Sequence, residues 1–324
     1  MPVDWIRRRL RRLLTRHSRK DIELLVTLWP EFEHFHDFTS DSRLSGIRVN
    51  PAAIPVHELK ASFTNLTVTG AKVPLYYDVK GRQLRVEDAR EINGHIELLL
   101  NHPINLDLRS DEARHVIFKA GADFGSIDRI EVGGRKLVFR DGRTYGPEFQ
   151  VSPGESIHIL HPSLQVFGEL FTVEEKEKID AALKTGFLKF FLSYVEGQRD
   201  VDELREIVGK DKEVWLKIEN EAGMKFVRND FKKTDGTVLV AARGDLYIEL
   251  DRPHKSCDAL RTMIEKDKEA CVGSRILLSV VQRTLPPEDK KRALAAVSQI
   301  LTDGYPSTDA LRRLIVRIHS DPVP

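Results

Sequence analysis

The feature that most constrains this chain is a repeated unit in which a short apolar run ends in charge and leads into a helix-forming stretch. Val214-Trp215-Leu216 runs into Lys217-Ile218-Glu219-Asn220, and Val238-Leu239-Val240-Ala241 runs into Ala242-Arg243-Gly244-Asp245-Leu246. An apolar run bounded in this way reads as a buried parallel strand followed by its βα loop. Ile22–Trp29, Gly46–Asn50, Val73–Val79, Phe187–Tyr194 and Ile276–Val280 read as further strands. Val173–Lys184, Val201–Gly209, Glu221–Asn229, His254–Glu269 and Glu288–Leu301 read as helices. Strand–helix alternation with short connections implies a parallel sheet. Polar residues repeated at the C-terminal strand ends favour an α/β fold of the (β/α)8 TIM-barrel type, whose loops on that face carry chemistry.

One region breaks the alternation. Ile96–Leu100, Val116–Lys119, Ile127–Val132, Lys136–Arg140 and Ser156–Leu160 are short β-like pieces, with Gly133-Gly134 and Asp141-Gly142 as hairpin-type turn pairs. They predict a small all-β inserted domain at 87–167, placed to act as a lid over a barrel formed by 21–86 and 168–324.

The first twenty residues hold Ile6, Leu10, Leu13 and Leu14 on one helical face among Arg7, Arg8, Arg9, Arg11 and Arg12. This predicts a basic amphipathic helix over 1–20. It either packs on the domain or docks a membrane surface or a protein partner. Elsewhere charge is balanced, 51 Lys+Arg against 50 Asp+Glu for a net +1, so no global basic field argues for nucleic acid. Cys257 and Cys271 form no CxxC pair, and no apolar stretch approaches the roughly 18–20 residues a spanning helix needs. A reducing, cytoplasmic setting is expected.

Residues i and i+2 of a strand share a face, so Lys217 and Glu219 point the same way, with Asp245 presented from the next strand's end. Two carboxylates suit Mg²⁺ or Mn²⁺, which take oxygen ligands and keep water or substrate oxygens in the remaining positions. A lysine beside them would stabilise an enolate or a transferring phosphoryl group. A structural salt bridge at a barrel mouth would use the same residues, and spacing alone does not separate the two.

The strings themselves go further. Lys217-Ile218-Glu219-Asn220-Glu221-Ala222-Gly223 and the run from Asp235-Gly236-Thr237 to Arg243-Gly244-Asp245-Leu246 resemble the barrel of the pyruvate kinase family. Phe190-Phe191-Leu192-Ser193-Tyr194-Val195 resembles its fourth strand, Gly46-Ile47-Arg48-Val49-Asn50 its second, and Tyr77-Asp78-Val79-Lys80-Gly81-Arg82-Gln83-Leu84-Arg85 its third. Gly304-Tyr305-Pro306 resembles the lead-in to its last barrel helix. The likeness runs in order over most of residues 22–318.

The resemblance implies a barrel with a lid, acting on phosphoenolpyruvate and ADP to give pyruvate and ATP. Lys217 would assist phosphoryl transfer and stabilise the enolate, and Arg48 would contact the phosphate. Glu219 and Asp245 would ligate Mg²⁺ or Mn²⁺. Arg85 and the segment Arg243, Gly244 and Asp245 would receive the substrate, and Asn50 and Asp78 would hold K⁺. The chain would be a short form without the family's C-terminal domain, able to form an oligomer.

The pattern is also broken in places. Pro51, Ala52 and Ala53 stand where the family has an aromatic, a serine and a histidine, and Val79 replaces a threonine. No lysine lies between Lys136 and Lys176, where His158 and His161 occur instead. Ser279-Val280-Val281 replaces Ala-Thr-Gln on the seventh strand. The stretch from Val281 to Gly304 is short for the usual eighth strand, so a truncated eighth βα unit is expected. These losses fall on the nucleotide and monovalent-cation side. Three readings follow: Mg-dependent phosphoryl transfer; a lyase, aldolase or decarboxylase acting through a pyruvate enolate; or a non-catalytic barrel that binds phosphoenolpyruvate or docks a partner.

Overall fold

A computed structural model describes residues 23–32, 35–64, 66, 68, 70–92, 95–110, 114–118, 123–145, 151–250, 255–273 and 313–317. The chain opens with β1 (Glu23–Thr27), α1 (Phe35–Thr39), β2 (Gly46–Val49), α2 (Val56–Thr64) and β3 (Leu75–Val79). Short strands follow: β4 (Val86–Ile92), β5 (His95–Leu100), β6 (Ile104–Asn105), β7 (His115–Phe118), β8 (Asp123–Glu131), β9 (Lys136–Tyr145) and β10 (Gln165–Val166). Alternation then resumes with α3 (Val173–Thr185), β11 (Lys189–Leu192), α4 (Gln198–Val208), β12 (Glu213–Ile218), α5 (Glu221–Asn229) and β13 (Thr237–Ala242). It ends with α6 (Arg243–Glu249), α7 (Lys255–Lys266), β14 (Cys271–Gly273) and β15 (Arg313–Arg317).

Strands β1, β2, β3, β11, β12, β13, β14 and β15 pair in parallel in that order, and β15 closes the ring between β14 and β1. This is a TIM-like α/β barrel. Its period-two pattern is what builds the interior. The inward residues Leu25, Tyr76, Phe191, Trp215, Val238, Val240 and Cys271 form one apolar cluster. The Tyr76 and Trp215 rings lie 4.9 Å apart between centroids and the Phe191 and Trp215 rings 5.3 Å. Gly46 faces this layer, and a Cβ there would sit 2.7 Å from the Tyr76 ring. The opposite strand faces pack on the helices in a larger core that includes Ile47, Tyr77, Phe190 and Leu216.

The helices start and stop where their sequences dictate. Thr172 caps α3 by accepting from the Glu175 N–H at 3.1 Å, and Gly186 ends it in the left-handed conformation. Asn220, immediately after Glu219, caps α5 by accepting from the Gly223 N–H at 2.8 Å. The strand end that carries the candidate site is thereby fixed to a helix start.

Between β3 and α3 the chain forms a five-stranded antiparallel sheet in the order β4-β5-β9-β8-β7. Its core, including Val86, Leu98, Val116, Phe118, Ile127 and Phe139, is distinct from the barrel's. Gly133-Gly134 connects β8 to β9 through a short 3-10 turn, as expected. Asp141-Gly142 does not turn; both residues lie within β9, because the hairpin is closed at its other end. Among the described residues the stretch Ser156–Leu160 forms no named strand; isolated bridges pair Ser156 with Arg85, just before β4, and His158 with Ile117 of β7.

The C-terminal expectations need correction. The seventh barrel strand is Cys271–Gly273, whereas Ile276–Val280, and with it Ser279-Val280-Val281, lies outside the described residues. An eighth strand is present at Arg313–Arg317, after Gly304-Tyr305-Pro306 rather than before it, so the eighth unit is not cut short at its strand. Its apolar run Leu314-Ile315-Val316 is bounded by arginines, the same signature that marked the others. Short helices at Phe35–Thr39, Val56–Thr64 and Arg243–Glu249 had no strong periodic signal in the sequence. The expected helices at 1–20 and Glu288–Leu301 lie outside the described residues. Among the described residues no helix is long and apolar enough to cross a membrane.

Candidate active site

Three barrel strands that place an aromatic residue on the inward face carry polar residues further along that same face. Trp215, Lys217 and Glu219 follow one another in this way, as do Tyr76, Asp78 and Lys80, and Phe191 and Ser193. The pleat therefore stacks a charged layer over the aromatic one at the C-terminal end of the barrel.

Asp78 is the centre of that layer and is fully buried. Arg48 Nε donates to Asp78 Oδ2 at 2.8 Å and Arg48 Nη2 donates to the same oxygen. Lys80 Nζ lies 2.9 Å and Lys217 Nζ 3.6 Å from that oxygen. The Ser193 hydroxyl donates to Oδ1 at 3.1 Å. Burial alone would raise the Asp78 carboxyl, but the Arg48, Lys217 and Lys80 charges hold it well below the usual carboxylate range. Burial likewise pushes the Lys80 ammonium down to about 7, against the attraction of Asp78.

Lys217 donates to Ser193 Oγ at 2.7 Å and lies 3.0 Å from Glu219 Oε1. Glu219 is buried, and its second oxygen accepts the Tyr194 backbone N–H at 2.6 Å. Tyr194 makes that contact from a left-handed backbone with φ of 54°. Burial raises the Glu219 carboxyl; Lys217 opposes this, and the charges of Asp245 and Asp78 add to it. Asp245 is half-buried in the first turn of α6, with buried Gly244 before it and Arg243 opening the helix. The structure thus gathers Lys217, Glu219, Asp78 and Arg48 into one network, with Asp245 within electrostatic reach of it.

The remaining expected residues lie to one side. Arg85 Nη1 donates to the Gly154 carbonyl at 2.6 Å and Nη2 donates to Gln83. Its guanidinium lines a neighbouring cavity of about 360 Å³ with Lys80, Lys178, Ala52 and Ala53. Gly154, at φ of 84°, lies against Ala53, and a Cβ on it would sit 2.6 Å from Ala53 Cα. The small residues at 52 and 53 thus fit the return segment of the inserted sheet. Asn50 Oδ1 accepts from the Ala52 N–H at 3.4 Å.

The donor set fits a divalent cation in part. Glu219 and Asp245 offer hard oxygen ligands, and water or substrate oxygens would complete the shell. Among the described residues no group of three or more His, Cys, Asp or Glu side chains is arranged to hold a metal by itself. A monovalent cation at Asp78 does not fit, because ammonium and guanidinium groups already cover the Oδ2 face of its carboxylate and Ser193 takes Oδ1.

Ser193, Tyr194 and Glu249, to which the sequence assigns no role, belong here with His158, noted there only as standing where the family has a lysine. Ser193 bridges Lys217 and Asp78. Tyr194, Glu249 and His158 form a cluster at the mouth: Tyr194 O–H donates to Glu249 Oε1 at 3.0 Å, and His158 Nδ1 lies 2.5 Å from that oxygen. The one available signal was that Glu249 stands four residues after Asp245, on the same side of a helix.

A TIM-like α/β barrel with a charged layer at its C-terminal mouth is the class that fold and site define. Comparison with known proteins narrows it. The chain is 23% identical over 311 residues to a pyruvate kinase of Methanocaldococcus jannaschii, covering 89% of this chain and 63% of that one. It is 24% identical over 328 residues to a pyruvate kinase of Agaricus bisporus, covering 90% of this chain and 58% of the relative. Pyruvate kinase 1 of Saccharomyces cerevisiae is 36% identical over 202 residues, 56% of this chain and 39% of the yeast protein. No family model matches the chain. The chain is therefore a distant, pyruvate kinase-like relative that spans about three-fifths of the length of the first two proteins.

Proposed function

We propose that this chain is a pyruvate kinase-like phosphotransferase that moves a phosphoryl group between phosphoenolpyruvate and ADP. The observation that carries this reading is the Lys217–Glu219 pair at the C-terminal end of β12, 3.0 Å apart, with Asp245 in the first turn of the helix that follows the next strand. Glu219 and Asp245 would hold Mg²⁺ or Mn²⁺, which when bound supplies positive charge to phosphoryl and enolate oxygens.

The chain's own groups then have separable parts. The Lys217 ammonium, held by Ser193 and Glu219, neutralises charge that develops between phosphoryl group and enolate. Arg48, fixed by Asp78 and by Thr27 at 3.1 Å, orients the phosphate without having to be ordered on binding. The N–H groups at the start of α6, from Arg243 to Asp245, face the substrate carboxylate. Arg85, at the cavity beside the inserted sheet, meets the distal end of the ligand. That sheet acts as the lid, and the domain limits are those read from the sequence.

The test is direct. Purified protein with phosphoenolpyruvate, ADP and Mg²⁺ should make pyruvate, and Lys217→Ala should lower the rate by about two to three orders of magnitude. No turnover at high enzyme concentration overturns the phosphotransferase reading.

A second reading has its own support. Ala52 and Ala53 line the cavity where a nucleotide would need polar partners, and neither side chain offers a donor or an acceptor. A lyase, aldolase or decarboxylase working through a pyruvate enolate would use Lys217, Glu219 and Asp245 and dispense with ADP. With Mg²⁺ present, oxalate would then raise the melting temperature and ADP would not.

A further inference from the structure

We propose that His158, oriented by Glu249 and Tyr194, is the acid–base group that moves a proton to and from the three-carbon acid at this barrel's mouth. The assignment rests on the proposed enolate chemistry and goes beyond it by naming the proton donor.

Three elements converge to build the group. His158 sits on the return segment of the inserted sheet and is locked to β7, where its N–H donates to the Ile117 carbonyl at 3.0 Å and its carbonyl accepts from the Ile117 N–H at 2.9 Å. Glu249 ends α6, the helix that begins with Arg243 and carries Asp245. Tyr194 follows the end of β11 and ties the trio to the candidate site, since its backbone N–H is on Glu219 while its hydroxyl is on Glu249. The Tyr194 hydroxyl also lies 3.3 Å from His158 Nδ1.

The bond to Glu249 sets the chemistry of the ring. A carboxylate 2.5 Å from Nδ1 fixes the proton there and leaves Nε2 as the nitrogen that exchanges. The ring is contacted by Glu249 at the end of α6 and by Tyr194 after β11, and the charges of Asp245 and Glu219 reach it from farther off. Burial lowers the affinity of the ring for its second proton, but the Glu249 hydrogen bond and charge, with Asp245 and Glu219 behind, more than reverse this. The net direction is upward, with the Glu249 hydrogen bond as the leading raising cause.

The step balances without any further reactant. Imidazolium gives its Nε2 proton to C3 of the enolate. The C3–H bond forms from the enolate π pair, the C2–O bond becomes a carbonyl, and the neutral ring regains a proton from water. In reverse, neutral Nε2 takes a C3 proton from pyruvate. General acid–base groups of this kind typically contribute 10²–10⁴-fold.

Loss of the C3 proton signal of pyruvate in D₂O with Mg²⁺, followed by NMR, tests this. A parallel oxalate–Mg²⁺ thermal shift reports ligand binding. Wild-type protein should exchange, and His158→Gln should slow exchange about a hundredfold while keeping the oxalate shift. Glu249→Gln should move the inflection of the exchange pH profile to lower pH. Exchange by His158→Gln within twofold of wild type overturns the assignment. So does wild-type protein that binds oxalate but does not exchange, an outcome that leaves the ligand site intact. Wild-type protein that neither binds nor exchanges overturns the proposed function and this assignment together. If His158→Gln does not fold, the Glu249→Gln profile decides, and an unmoved inflection counts against the proposal.

Discussion

The Lys80 ammonium lies 2.9 Å from the Asp78 carboxylate, two residues back along the same inward face. Below about pH 7, where it is protonated, a lysine there supplies from within the chain the positive charge that a bound monovalent cation would bring. Replacing K⁺ by Na⁺ or tetramethylammonium should therefore change pyruvate formation or exchange by less than about twofold, whereas Lys80→Met should make either one K⁺-dependent. A tenfold loss in wild-type protein without K⁺ would show that a cation still enters.

Asp78 holds three cationic side chains together, so Asp78→Asn leaves buried positive charge without its counter-charge. Breaking a buried ion pair from one side costs about 3–5 kcal/mol, and denaturant unfolding near neutral pH should show a loss of that order. The folded-state carboxyl is depressed, so its stabilisation is complete above the ordinary value of 3.8 and is lost as pH falls below it. The gap between wild type and variant should accordingly close in acid.

The His158–Glu249 contact joins the inserted sheet to the barrel and has the opposite pH sign. A histidine raised on folding contributes fully below its ordinary value of 6.5, and that contribution is lost as pH rises through the folded value. Limited proteolysis of the inserted region should be slower at pH 6 than at pH 9. His158→Gln should remove most of the difference.

Gly46 leaves no room for a side chain under the aromatic layer. Gly46→Ala would place Cβ 2.7 Å from the Tyr76 ring and 3.0 Å from Leu25, forcing the layer to shift. A destabilisation of about 1–3 kcal/mol is expected, read as a lower melting temperature. An unchanged melting temperature would mean that Tyr76 and Leu25 re-pack freely.

Much of the barrel was legible because its signal is local. An apolar run ended by charge marks a strand wherever it occurs, and Val214–Ile218 and Val238–Ala242 match β12 and β13 to within a residue. The same rule applied to Leu314-Ile315-Val316 would have found β15. Asp141-Gly142 misled because a turn-type pair has strong local preference, yet β9 runs on past it, pairing with β8 at Phe139 and again at Thr144 and Tyr145 across a register shift.

The candidate site divides along the same line. Placing Lys217 beside Glu219 needed only the two-residue period of a strand, and Asp245 needed only the next strand's end. Sequence by itself therefore determined the alternating architecture, the inward charged face and the placing of Lys217 beside Glu219. Tertiary structure alone decided that Asp78 is capped by Arg48, Lys80 and Lys217, that Arg85 turns toward the cavity, and that His158 meets Glu249 across 91 residues of chain. Those contacts depend on barrel closure and on where the inserted sheet returns. They arise from side chains brought together by packing, and no periodicity in the chain encodes which of them will touch.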